Sequence, residues 1–253
     1  MRTTINRKKL SYALLALGFL ALISFVWQQS RQRICQNINF EIKRQQEAYY
    51  ITEETLKKTL TQNQINPIGL PVNQLNLTKI EQVLELNPFV QNAEAYTSVI
   101  GNLHIEITQR NPILRIINQF GTSYYIDDQK HKIPISQNYT PYLLVANGHI
   151  TENLTQSDTI QSKDLNNIYT LCKYIDKDEF LKPLIVQIYA NANGDLELST
   201  RLWNQTVLIG DTSNLAEKFL RLRYFYEQAP KYEFIDKYKQ LIVKYNNQII
   251  AVK

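Results

Sequence analysis

Histidine, glycine and cysteine are scarce in this chain, and each scarcity excludes a kind of chemistry. Three histidines, His104, His131 and His149, stand far apart in 253 residues, with no His-Glu-x-x-His or similar ligand spacing. Seven glycines are too scattered for a phosphate-cradling loop, and no Gly-x-Ser-x-Gly elbow occurs. Asp127–Asp128 reads as a turn. Asp176, Asp178 and Glu179 read as a solvated helix end, without the spacing of a dedicated calcium loop. No catalytic residue, metal, cofactor or small-molecule substrate is therefore expected. There are two cysteines, Cys35 and Cys172. An exported location would permit a disulfide; Cys172, in a helical pattern, equally suits a free buried thiol. No repeat of fixed period and no low-complexity tract is present.

Acidic residues are missing from the first forty positions, which carry six basic ones: Arg2, Arg7, Lys8, Lys9, Arg31 and Arg33. The remaining 22 basic residues face 23 acidic ones, so the net charge of +5 belongs to the N-terminal segment. A nucleic-acid face on the body would need a basic excess there; none is expected.

Long apolar runs are also missing, with one exception. Leu10 to Trp27 carries no charge. A helix of that length, at about 1.5 Å per residue, just spans a hydrocarbon core. Four basic residues precede it and predict a cytoplasmic N-terminus. Tyr12 and Trp27 suit the two interfaces, so Leu10, Tyr12 and Trp27 mark the expected anchor. A cleaved signal peptide would need a shorter apolar core and a small-x-small site. Phe25–Val26–Trp27 running into Gln28–Gln29–Ser30 offers none. The expectation is a single-pass anchor in the bilayer, with the body outside the cytoplasm.

The body reads as α+β. Ile34 to Arg44 alternates weakly as a first strand. Thr52 is a good N-cap ahead of Glu53 and Glu54, with Leu56 and Leu60 on one face. A second helix starts near Asn76 and carries Leu77, Ile80, Val83 and Leu84 until Asn87–Pro88 stops it. Val90–Ser98 and Leu103–Thr108 alternate as strands, with turn chemistry at Gly101–Asn102. In the second, Leu103, Ile105 and Ile107 face one way. The order β-α-α-β-β implies two helices on one face of a small sheet.

Beyond Arg110–Pro112 the strands expected are Ile113–Ile117, Tyr124–Ile126, Ile133–Ile135, Leu184–Tyr189, Leu196–Leu198, Val207–Ile209, Leu241–Tyr245 and Ile249–Val252. Helices are expected over 159–175 (Leu165, Ile168, Leu171, Ile175) and 214–228 (Leu215, Phe219, Leu222, Tyr226). Asn246–Asn247 suits a tight turn, since Asn tolerates positive φ. The expected domains are a tail (1–9), a transmembrane helix (10–27), a β-α-α-β-β unit (34–110) and a mixed-sheet β domain with two helices (111–253).

This ordered set resembles the bacterial cell-division family FtsQ, also called DivIB, and its first folded unit resembles the FtsQ-type POTRA domain. The residues that carry the likeness run almost the whole chain. They are the helix start Ile51-Thr-Glu-Glu-Thr-Leu56, the link Leu86-Asn-Pro-Phe-Val-Gln-Asn-Ala93 and the strand Leu103-His-Ile-Glu-Ile-Thr-Gln-Arg-Asn-Pro-Ile113. Next come Tyr124-Tyr-Ile-Asp-Asp128 with Ile133-Pro134, and Leu208-Ile-Gly-Asp211 leading to Ala216-Glu-Lys-Phe-Leu220. The ending Leu241 to Lys253 resembles the family's closing hairpin. Gln109 stands where the family often has Glu, so no charged role carries over there.

The resemblance implies a non-catalytic scaffold at the division septum, held in the cytoplasmic (inner) membrane. It implies partners similar to FtsB (DivIC in some lineages) and FtsL, with the principal partner adding an element to an edge strand near the C-terminus. An edge strand presents unpaired N–H and C=O groups that a partner strand can satisfy. Gln248 to Lys253 has strong β formers, no proline, and charge only at its last residue. Tyr245, Ile249, Ile250, Ala251 and Val252 are the candidate partner face, and Lys244 the candidate partner of an incoming carboxylate. The same run could instead be an interior strand whose apolar residues are core. The rival functions are a periplasmic assembly or transport factor of the POTRA class, and an anchored envelope enzyme. Against the first, the body lacks serial ten-residue amphipathic strands.

Overall fold

Thr52 starts the first helix because its side chain accepts the N–H of Thr55, and Glu53 and Glu54 fill the first turn. Such a cap is worth about 1 kcal/mol. Helix α1 (Glu53–Gln62) then buries Leu56 and Leu60, four residues apart. Asn76 caps α2 (Leu77–Glu85) in the same way, through the N–H of Lys79, and α2 buries Ile80, Val83 and Leu84. Strands β1 (Ile38–Lys43), β2 (Val90–Thr97) and β3 (Leu103–Gln109) form a three-stranded sheet in the order β1-β3-β2. β1 runs parallel to β3, and β2 antiparallel to it. Leu103, Ile105 and Ile107 of β3 are fully buried, while the alternate residues face solvent. These elements make the first of two units in this computed structural model, which describes residues 12, 16–21, 33–44, 48–228 and 237–253.

The second unit comprises Ala48–Tyr50 and Arg110–Lys253. Its strands are β4 (Pro112–Ile117), β5 (Ser123–Asp127), β6 (Lys132–Pro134), β7 (Leu144–Gly148), β8 (Ile185–Ala190), β9 (Leu196–Thr200), β10 (Thr206–Gly210), β11 (Gln240–Ile242) and β12 (Ile250–Val252). They form one mixed sheet in the order β12-β11-β10-β9-β8-β7-β4-β5-β6. Two parallel steps, β7 to β8 and β10 to β11, are bridged by α3 (Lys163–Asp176) and α5 (Leu215–Gln228). A one-turn helix, α4 (Leu181–Leu184), precedes β8. One buried cluster joins Leu165, Ile168, Leu171 and Ile175 of α3, and Leu215, Phe219, Leu222 and Tyr226 of α5, to the inward residues of the strands. Those two stripes are the ones that the 3.6-residue period picks out.

Two details depart from the sequence expectation. Helix α3 begins at Lys163 rather than 159, because the Glu152 carboxylate accepts the N–H groups of Gln161 and Ser162, and the Ser162 hydroxyl caps the helix. Strand β7 is not marked by periodicity at all. It has five residues and ends on Asn147–Gly148, a turn signature. Gly148 is there for closeness rather than turning: at φ +100°, a Cβ would lie 2.2 Å from the Ala190 carbonyl of β8. Of the alternatives that the sequence leaves open for the cysteines, the structure has the free thiol: Cys35 and Cys172 are both unbridged and buried. Burial pushes the Cys172 thiol up to about 12.

Candidate partner-binding edge

The site is built by the last two strands. β11 pairs parallel to β10 and antiparallel to β12, and β12 lies at one end of the sheet order. Among the described residues β12 pairs with β11 alone, which fits the edge reading of Gln248–Lys253 better than the interior one. The turn between β11 and β12 uses Asn247 at φ +59°. Arg221 on α5 donates to the carbonyls of Val243 and Tyr245, tethering the turn to the helix.

Strand alternation divides the candidate residues between two faces. Leu241 pairs with Ala251 and is fully buried; Ala251 and Ile249 pack against the same core. Ile250 and Val252 take the other face and are 40 % and 41 % exposed. Tyr245 is half exposed. The apolar residues thus do not share one face: Ile249 and Ala251 anchor the strand, and Ile250, Val252 and Tyr245 are presented.

Register extends the exposed face inward. Ile250 sits opposite Ile242, Ile242 opposite Leu208, Leu208 opposite Glu197, and Glu197 opposite Tyr189. A second row runs Val252, Gln240, Thr206, Ser199 and Gln187. The first row is aliphatic for three strands and then polar. Leu208 and Ile242 were not among the sequence candidates. No alternation in the sequence marks them, since each stands between equally aliphatic neighbours, Val207 and Ile209 in one case, Leu241 and Val243 in the other; only burial in the fold separates them.

Lys244 lies on the same face, one step along. Its stem covers Gly210 (φ +74°), where a Cβ would lie 2.8 Å from Lys244 Cγ. Its Nζ reaches Asp195 Oδ2 at 2.6 Å. That hydrogen bond raises the Lys244 ammonium above its ordinary pKa. The pair is partly exposed, so solvent screens it and it adds little to stability. An incoming carboxylate would compete with Asp195 for an ammonium already held in place.

The joint beneath the edge is polar but structural. Lys218, buried on α5, donates to the carboxylate and the carbonyl of Asp211 at 2.8 and 2.9 Å. The Lys218 and Ser213 hydrogen bonds hold the Asp211 carboxyl at about 2. This fixes the start of α5 at the end of β10.

The remaining polar groups do structural work as well. Asp127, buried in its turn, accepts the N–H groups of Gln129 and His131 and pairs with Arg110 at 2.9 Å. Asp178 caps α4 through Phe180 and Leu181 and binds Arg223. His104 stacks on Tyr96, and His149 is exposed. Among the described residues no group of three or more His, Cys, Asp or Glu could hold a metal ion. Of the expected anchor residues, Tyr12 is exposed, while Leu10 and Trp27 lie outside the described residues. Residues 16–21 are helical, and among the described residues no helix is long and apolar enough to cross a membrane.

Two family models match the chain. One, described as a POTRA-like domain, covers residues 33–108; the other, described as FtsQ/DivIB, C-terminal related, covers residues 111–252. A search of curated proteins finds no match. The second match takes in the whole nine-stranded sheet with its terminal edge, and the chain belongs to the FtsQ/DivIB family, with a POTRA-like domain ahead of that sheet.

Proposed function

We propose that this chain is a non-catalytic, membrane-anchored scaffold of the bacterial divisome. The Leu10–Trp27 run holds it in the inner membrane, with the body outside the cytoplasm. Its main site is the β12 edge, which takes a strand from a partner similar to FtsB or DivIC; an FtsL-like protein is the second partner. Family membership supports the division role. The observation that carries the site is β12 itself: a terminal strand with two exposed aliphatic side chains and, among the described residues, no neighbour on its outer side. Backbone pairing would supply affinity, and the row Ile250, Ile242, Leu208 would supply specificity. Lys244 would exchange Asp195 for a partner carboxylate.

The test is binding of the full chain, wild type and Ile250→Glu, to the extracytoplasmic part of an FtsB-like protein, with circular dichroism on both. Placing a charge in a desolvated contact costs on the order of 3 kcal/mol, roughly a hundredfold in Kd. A folded variant that fails to bind supports the site. A folded variant that binds as wild type places the contact elsewhere.

A further inference from the structure

The first unit carries a second exposed apolar feature, at the end where the chain enters it. β1 and β3 are parallel with Ile38 opposite Leu103, so the start of β1 and the β2–β3 turn lie at the same end of the sheet. That turn is Ser98-Val99-Ile100-Gly101. Val99 is 80 % exposed and Ile100 74 %. Gly101 packs directly on the entering chain: a Cβ there would lie 3.1 Å from the Ile34 carbonyl and 3.5 Å from Arg33 Cβ. A third segment joins them. Cys35 donates to the Leu70 carbonyl at 2.9 Å, Val72 donates to Arg33 at 2.8 Å, and Ile34 bridges Pro71. Ile34, Ile68 and Leu70 are exposed too. Five large aliphatic side chains on three segments are therefore gathered around Arg33–Cys35. Single exposed aliphatics are ordinary; a gathered set marks a surface that meets something apolar.

The length of chain says what that is. Trp27, the last residue of the apolar run, is six residues before Arg33. Six residues span at most about 21 Å even fully extended. A bilayer holding Leu10–Trp27 would thus lie within reach of the turn, whichever way residues 28–32 run. Val and Ile at a loop tip, with Arg33 beside them, suit the boundary between headgroups and acyl chains.

We propose that the Val99–Ile100 turn, with Ile34, rests in the interface of the membrane that anchors the chain, fixing the orientation of the first unit to the lipid surface. The inference depends on the anchoring reading above. The probe is a vesicle of phosphatidylethanolamine and phosphatidylglycerol carrying the full chain. An environment-sensitive fluorophore is attached through Val99→Cys, Ile100→Cys or, as control, Glu54→Cys at the exposed start of α1. Both native cysteines are buried. Flotation after an alkaline wash reports anchoring, and brominated lipids report contact of the probe with acyl chains. The expected result is flotation, with emission blue-shifted and quenched at 99 or 100 and neither at 54. Flotation without quenching at both tip positions overturns the interface proposal and leaves the anchor standing. A blue shift without quenching means protein covers the tip, which also overturns it. A chain that does not float removes the anchoring reading and this proposal with it.

Discussion

The large sheet has two ends, β6 and β12, each three residues long, and they are finished in opposite ways. β6 contains Pro134. Its Lys132 N–H donates to Asp158, and Ile160 donates back to Lys130, so residues 158–160 cover it. The Lys132 ammonium is fully buried, 3.2 Å from Glu152, and donates to the Asn153 carbonyl. The edge of the small sheet at β2 is finished too: Glu85 and Glu81 of α2 accept the N–H groups of Ala93 and Ala95. β12 has no proline, presents Ile250 and Val252, and among the described residues carries no cover. Proline, covering segments and inward charges are the usual ways of closing an edge. β6 uses all three and, among the described residues, β12 uses none; the proposed partner site at β12 rests on that contrast.

The comparison is tested most severely at β6. Lys132→Met leaves Glu152 buried without its cation and should cost about 3–5 kcal/mol in urea unfolding, with partner affinity of the folded fraction unchanged. A loss under about 1 kcal/mol would mean the cover does not depend on that pair. The same site sets an acid limit. Burial alone pushes the Glu152 carboxyl up, but hydrogen bonds from Ser162, Gln161 and Lys132 outweigh it, and its pKa is lowered. Its stabilisation is therefore complete above the unfolded carboxylate value of about 4.3 and is lost as pH falls through the lower folded value. Urea midpoints between pH 3 and 7 should fall more steeply below about 4 in the wild type than in a Lys132→Met/Glu152→Leu double variant.

At β12 the expected effect falls on binding instead. Ile250→Glu should lose roughly a hundredfold in Kd. It should change stability by no more than about 0.5 kcal/mol. Ile135→Glu, just past β6, should leave Kd unchanged. Equal loss from both would erase the distinction between the two ends. Gly210→Ala should cost about 1–2 kcal/mol, since it forces a side chain into positive φ and against the Lys244 stem. Smallest of all, Lys244→Ala should leave the urea midpoint close to that of the wild type, since the ion pair is screened by solvent. A larger loss in binding than in stability would assign Lys244 to the partner.

Much of this architecture is legible in the sequence because it is local. The Thr52 and Asn76 caps, the stripe Leu215–Phe219–Leu222–Tyr226 and the alternation of Leu103–Ile107 each follow from a period and a cap. β7 escaped because five residues ending in Asn-Gly carry too little pattern. The division of Ile249–Val252 between two faces was hidden because four apolar residues in a row have no alternation to read. The end position of β12 was hidden for a different reason: it follows from β11 crossing over α5 to pair parallel with β10, a long-range choice no local signal encodes. Leu208 and Ile242 became candidates only once register had placed them in line with Ile250.

The most direct measurement is amide hydrogen exchange over 130–136 and 240–253 in the full chain, with and without the extracytoplasmic part of an FtsB-like partner. Strand addition predicts new protection at Ile250–Val252 and none at Lys132–Pro134. Partner binding that protects other residues and leaves β12 exchanging as before would contradict it.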